Sequence, residues 1–221
     1  MHPNQNDSRR RCAGFTLIEL LAVILIIGIL MAFLLPRIPE AIDKAKVTAC
    51  KANMREINSG LLMYNDTYKS LPNESGVRFF TALIYKGVLQ NDKGVVEKLT
   101  CPGVQTNFLA IGDIEEPSEW YMNKEVLDGT YSAYAGRDMK RSPVKRFPGS
   151  GSEPLVADDN DGGDVEEGNH RTATVVLYAD GSVGTHEIFD LQEKGKVGQE
   201  VMVLKVGPES PLPELQKLSL D

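Results

Sequence analysis

The distribution of apolar positions changes character twice along this chain. From 15 to 35 the sequence FTLIELLAVILIIGILMAFLL is apolar on every helical face, with Glu19 as its one charged residue. A helix of these 21 residues is roughly 30 Å long, the thickness of bilayer hydrocarbon. A core helix of a soluble domain shows a polar face, and this segment has none, so the pattern predicts a membrane span. Between 38 and 68 the apolar positions Ile38, Ile42, Ala45, Ala49, Cys50, Met54, Ile57, Leu61, Tyr64 and Tyr68 recur in steps of three and four, apart from the single step from Ala49 to Cys50. That spacing predicts one long amphipathic helix whose drifting stripe faces the globular part, with Lys44, Lys46, Lys51, Arg55 and Glu56 on its other faces. Pro36 stands between the two segments. It lacks a backbone donor and clashes with the preceding turn, so it predicts a kink or a local opening of the helix.

Beyond Leu71-Pro72-Asn73, which closes the helix, the pattern shortens. Residues 77–89 predict a second helix, ended by Gly87 or by Asn91-Asp92, and Cys101-Pro102-Gly103 predicts a turn. Aromatic and small polar residues alternate over 120–136, predicting a strand near a turn at Asp128-Gly129, and 137–151 predicts a surface loop. The β-branched run 172–178 predicts a strand with 183–189 as its partner. Asp180-Gly181 between them predicts a two-residue type I′ hairpin turn, with positive φ at both positions. The tail adds an edge strand over 199–206 and a short helix in the Pro-rich stretch 207–213. The class is α+β: a long N-terminal helix packed on a small antiparallel sheet domain.

Composition narrows the function. Of 221 residues 25% are charged and 42% apolar, which suits one globular domain plus an accessory segment. A formal charge of -7, from 24 basic and 31 acidic side chains, argues against nucleic acid as a partner. Cys12, Cys50 and Cys101 are too few and too scattered to predict a disulfide framework or a four-ligand zinc site, and whether Cys50 pairs with Cys101 stays open. Arg9, Arg10 and Arg11 precede the span and Arg37 stands alone after it, which predicts a cytoplasmic N-terminus and an external C-terminal part. The apolar run ends in Leu34-Leu35-Pro36-Arg37, without the small-x-small site of an ordinary secretory signal.

The junction Gly14-Phe15-Thr16-Leu17-Ile18-Glu19 resembles the class III signal sequence of type IV pilins and type II secretion pseudopilins. The resemblance implies cleavage after Gly14 by a prepilin peptidase and methylation of the new amine on Phe15. It puts Glu19 at the fifth mature position and Pro36 at the twenty-second, where the family keeps a glutamate and often a proline. Physically, a glycine before the cut leaves the backbone unhindered, and a carboxylate in hydrocarbon asks for a partner, such as the Phe15 amine of a neighbouring subunit. The implied division is a leader over 1–14, a transmembrane half-helix over 15–35, an amphipathic stalk over 36–70 and a globular domain over 71–221.

The same resemblance implies a single-pass protein of the bacterial inner membrane, a subunit of a pilus-like filament, in first place a type II secretion pseudopilin. Its partners would be other pilin-like subunits, prepilin peptidase, an inner-membrane assembly platform and lipid. A type IV pilin and a membrane-tethered external binding protein are the alternatives.

His170, nine intervening residues and Asp180-Gly181 also resemble the H-x9-D-G element near the C-terminus of many bacterial proteins with prepilin-type leaders. His170 is expected to tie the strand entrance to the Asp180 turn or to the acidic loop over 158–168. In that loop Asp158, Asp159, Asn160, Asp161 and Asp164 offer hard oxygens beside two glycines, a candidate calcium site whose spacing is not that of an EF-hand. No other cofactor is expected. No G-x-S-x-G elbow, paired Cys-His motif or H-E-x-x-H spacing supports a catalytic constellation, so no enzyme activity is expected.

Overall fold

A computed structural model describes residues 15–159 and 169–221 of the chain, which divides into two compact units, Met1–Ile42 and Asp43–Asp221. In the first unit α1 (Leu17–Leu34) has no buried residue, as an apolar segment without a polar face should. The chain then tightens into a 3-10 turn over Leu35–Arg37 before α2 (Ile38–Tyr68), the local adjustment that Pro36 imposes by lacking a donor.

The second unit is built round one sheet. The stripe of α2 enters its core only from Cys50 onward: Cys50, Met54, Ile57, Leu61 and Tyr64 are buried. Within this unit Ala45 and Ala49 are exposed, so the stripe faces the core from Cys50 onward and not before it. The cause is the step from Ala49 to Cys50, which rotates the apolar face by about 100° and separates two stripes rather than continuing one.

Helix α3 (Val77–Tyr85) is shorter than the pattern predicts. Gly87 takes φ +70, its N–H donates to the Ile84 carbonyl at 2.8 Å, and the Val88 N–H donates to that of Leu83 at 3.0 Å. This pair of bonds is a Schellman stop. A single turn, α4 (Lys93–Val96), follows.

The sheet has five antiparallel strands in the order β4-β3-β2-β1-β5. They are β1 (Tyr134–Arg137), β2 (Pro154–Asp158), β3 (Ala173–Tyr178), β4 (Val183–Glu187) and β5 (Leu218–Ser219). Helix α5 (Ile188–Glu193) begins where β4 ends, so the second hairpin strand stops at Glu187. Both faces are covered. Val175 and Leu177 join the core of α2 and α3, whereas Val176 packs with Ile188, Leu191, Leu215 and Leu218 on the opposite side. A sheet buried on both faces selects a nearly continuous apolar run, which 173–178 carries with Thr174 as its one polar residue before Tyr178.

Several expectations need correction. Only the last residues of 120–136 form a strand; Trp120 and Tyr121 lie in turns, where the Trp120 indole donates to the Ile114 carbonyl at 3.2 Å. Arg137 belongs to β1 and is buried. No strand forms over 199–206; the edge strand is β5. The hairpin turn differs as well. Among the described residues Lys69 alone combines a side chain with positive φ, so Asp180 keeps negative φ and Gly181 takes φ +84. The Gly181 N–H donates to the Tyr178 carbonyl and the Tyr178 N–H to that of Ser182, both at 2.9 Å. This is a three-residue loop with glycine at the left-handed position, not a type I′ turn.

Candidate functional site

Two places in the chain carry chemistry. The first is the start of α1. Thr16 is its N-cap and donates its backbone N–H at 2.8 Å and its hydroxyl at 2.7 Å to Glu19 Oε2, while the Glu19 N–H donates to Thr16 Oγ1 at 3.3 Å. This capping box satisfies donors that a helix end leaves without partners. Glu19 therefore has an in-chain partner, which the reading of an isolated intramembrane carboxylate did not include. The T-x-x-E spacing was the available signal. Phe15 lies exposed just before the cap, and Gly14 falls outside the described residues.

The second place is a buried cluster of Cys50, Cys101, Asp158 and His170, whose ligand-type atoms all lie within 4.8 Å of one another. Four elements deliver them. Cys50 comes from the first buried turn of α2, Asp158 ends β2, and His170 lies in the segment entering β3. Cys101 opens a turn closed by the Val104 N–H on its carbonyl at 3.1 Å, with Pro102 and Gly103 at the centre. A Cβ on Gly103 would stand 2.1 Å from the Asn169 carbonyl oxygen, so only glycine lets this turn approach the segment carrying His170.

The thiol of Cys50 donates to Asp158 Oδ1 at 3.2 Å and lies 3.4 Å from the Tyr134 hydroxyl. His170 Nε2 lies 3.3 Å from Asp158 Oδ2 and 3.4 Å from Cys101 Sγ. The Gly103 N–H donates to Cys101 Sγ at 3.3 Å, and the Val175 N–H to Asp158 Oδ2 at 3.0 Å. His170 Nδ1 is buried without a hydrogen bond, 3.8 Å from Asp43 Oδ1. Asp43 in turn accepts the Arg171 N–H at 3.3 Å. Burial lowers the His170 pKa, but the bonds and charges of Asp158 and Cys50 outweigh it and push it up to about 10. Burial first, then Cys50 and Asp158, raises the Cys101 thiol well above its ordinary value.

This geometry changes several expectations. Cys50 and Cys101, too scattered in sequence to predict a site, are brought together by the fold, and both are free thiols. Of its two expected partners His170 meets the acidic stretch, through Asp158 at one end of β3, and not Asp180, which lies past the other end and accepts from the Ser182 N–H at 2.9 Å and hydroxyl at 2.6 Å. Of the acidic residues, Asp158 is turned into the core and the Asp159 N–H donates to the Ala133 carbonyl at 3.0 Å. Asn160, Asp161 and Asp164 lie outside the described residues.

Comparison with known proteins bears on the first place. The family model of the prokaryotic N-terminal methylation motif matches residues 9–35. Type II secretion system core protein G of Pseudomonas aeruginosa is 45% identical over 56 residues, which are 25% of this chain and 39% of that protein. The chain thus covers well under half of this relative's length. No solved structure matches the chain. Among the described residues one helix is long and apolar enough to cross a membrane, and it begins at Leu17. The methylation-motif match falls on the start of the capped apolar helix, and with the partial likeness to a type II secretion core protein it makes this chain similar, over part of its length, to the pseudopilin and type IV pilin-like proteins.

Proposed function

We propose that the protein is a structural subunit of a pilus-like filament, most closely a type II secretion pseudopilin, anchored by α1 in the inner membrane with its second unit outside the cytoplasm. The observation that carries the reading is the methylation motif over 9–35, set directly on an apolar helix whose first turn holds Glu19. Prepilin peptidase cuts between Gly14 and Phe15, and the exposed Phe15 amine becomes the positive end of the mature chain. In the lone subunit Thr16 holds the Glu19 carboxylate at the helix start. In the filament that carboxylate receives the amine of a neighbouring subunit, so that neither charge enters the apolar bundle unpaired.

Intact-mass analysis of the membrane-extracted protein tests the processing step. In cells with active prepilin peptidase the expected chain begins at Phe15. A chain that still carries residues 1–14 ends this reading and leaves a tethered external domain in its place. Gly14→Leu should keep the protein in the membrane but uncut.

A further inference from the structure

The geometry points to a structural zinc site formed by Cys50, Cys101, Asp158 and His170, which staples α2, the Cys101 turn, β2 and the entrance to β3 into one folded unit. Four side chains of three ligand types converge, and all four are buried. A tetrahedral ion with bonds of about 2.0–2.3 Å holds neighbouring ligand atoms about 3.3–3.8 Å apart. The separations here are 3.2 Å for Cys50 Sγ to Asp158 Oδ1, 3.3 Å for His170 Nε2 to Asp158 Oδ2 and 3.4 Å for His170 Nε2 to Cys101 Sγ; the two Asp158 contacts are made by different oxygens, and one atom from each residue lies within 4.8 Å of the others, so the ion draws the four ligands slightly closer. Two sulfurs, one imidazole nitrogen and one carboxylate oxygen suit a borderline divalent ion. Calcium takes six or more oxygens and is excluded by the same donor set.

The surroundings are those such an ion requires. With Nε2 on the metal, His170 carries its proton on Nδ1, the atom that otherwise has no hydrogen bond. It faces Asp43 at 3.8 Å, as in the carboxylate–histidine–zinc arrangement. Two thiolates and a carboxylate exceed the ion's charge by one. The Gly103 and Val175 N–H groups and the Tyr134 hydroxyl are aimed at Cys101 Sγ, Asp158 Oδ2 and Cys50 Sγ respectively, where that negative charge lies. Binding releases the two thiol protons and the proton on His170 Nε2 to solvent. With all four positions filled and buried, no open position remains for substrate, so the role is structural.

The test uses the full-length protein purified in detergent without chelator. Elemental analysis should find about one zinc per chain. Replacement by cobalt(II) should give the thiolate charge-transfer and tetrahedral d–d absorption bands, a readout that requires no mutation. Asp43→Ala should keep the stoichiometry at saturation but weaken zinc affinity about 10–100-fold. Cys101→Ser and His170→Ala should lose zinc at stoichiometric concentrations. A wild-type chain that holds no zinc and gives no cobalt thiolate bands overturns the proposal. So does a Cys50–Cys101 disulfide, detected as two hydrogen atoms missing from the intact mass of the untreated protein.

Discussion

Arg137 is a guanidinium inside a protein core, with 3% of its side chain exposed. It is tolerated because every arm of its fork is used: Nε donates to the Ser142 carbonyl at 2.6 Å, Nη1 to that of Pro154 at 2.9 Å and Nη2 to Glu153 Oε2 at 2.7 Å. Lys217 donates to the other oxygen of Glu153 at 2.8 Å. The Lys217 bond first, then Arg137, holds the Glu153 carboxyl below its ordinary value of 4.5 against the opposing effect of burial. A carboxyl whose pKa is lowered by folding contributes stability that is full above about 4.5 and is lost as the pH falls through the folded value. Glu153→Gln should therefore lower stability at neutral pH by on the order of 1 kcal/mol, a partly exposed charge-assisted pair. Thermal melts should show the gap to wild type narrowing as the pH drops below about 4.5. Nothing in the sequence around Arg137 distinguished it from its basic neighbours Lys140, Arg141, Lys145 and Arg146, because its partner carboxylate lies past a long loop. The metal-binding reading was hidden for the same reason: Cys50, Cys101 and Asp158 come from far-apart segments and meet only through the packing of α2 on the sheet. The Cys-Pro-Gly turn, His170 in its H-x9-D-G element and Asp158 in the acidic stretch were the local hints.

At the scale of elements, periodicity was a sound guide wherever burial was regular. The core of α2 from Cys50 onward and strand β3 could be read directly, since the first presents a regular apolar stripe and the second a β-branched run to a fixed partner. Strand β2 was not legible: PLVAD is five residues long and runs straight into an acidic stretch. Strand β5 has two residues and no pattern to detect. The β3–β4 hairpin was recognised from Asp180-Gly181, but the turn type was not, because one glycine serves either a type I′ turn or a left-handed bulge position. The two geometries separate in the laboratory. Here Gly181 alone needs positive φ, and a Cβ added to it would lie 2.9 Å from the Asn58 amide nitrogen. Gly181→Ala should thus cost about 1–2 kcal/mol in thermal or chemical denaturation. Asp180→Asn, which keeps a side chain able to accept from Ser182, should cost less than half of that.

For the whole molecule, the membrane span and the globular unit make separate demands on the sequence, and Glu19 tests whether they meet in assembly. The apolar residues of α1 supply the drive for insertion, so Glu19→Leu should leave the chain in the membrane and still cleaved after Gly14. Its filament yield, measured by shearing or crosslinking at matched membrane levels, should fall strongly, and Glu19→Gln should be intermediate. Wild-type polymerisation by the Leu variant would mean that the carboxylate serves only its own helix, through Thr16. The sheet bears on the same question from the opposite direction. A protein that polymerises in the way proposed above must close other routes, and open strand edges are the commonest unwanted one. Here one border of the sheet is the two-residue β5, and the uncovered length of β1 at Tyr134 and Ala135 is buried. The other border, β4, is only five residues long and gives way at once to α5. With so little template for strand addition, these domains can be crowded side by side without fusing into a continuous sheet.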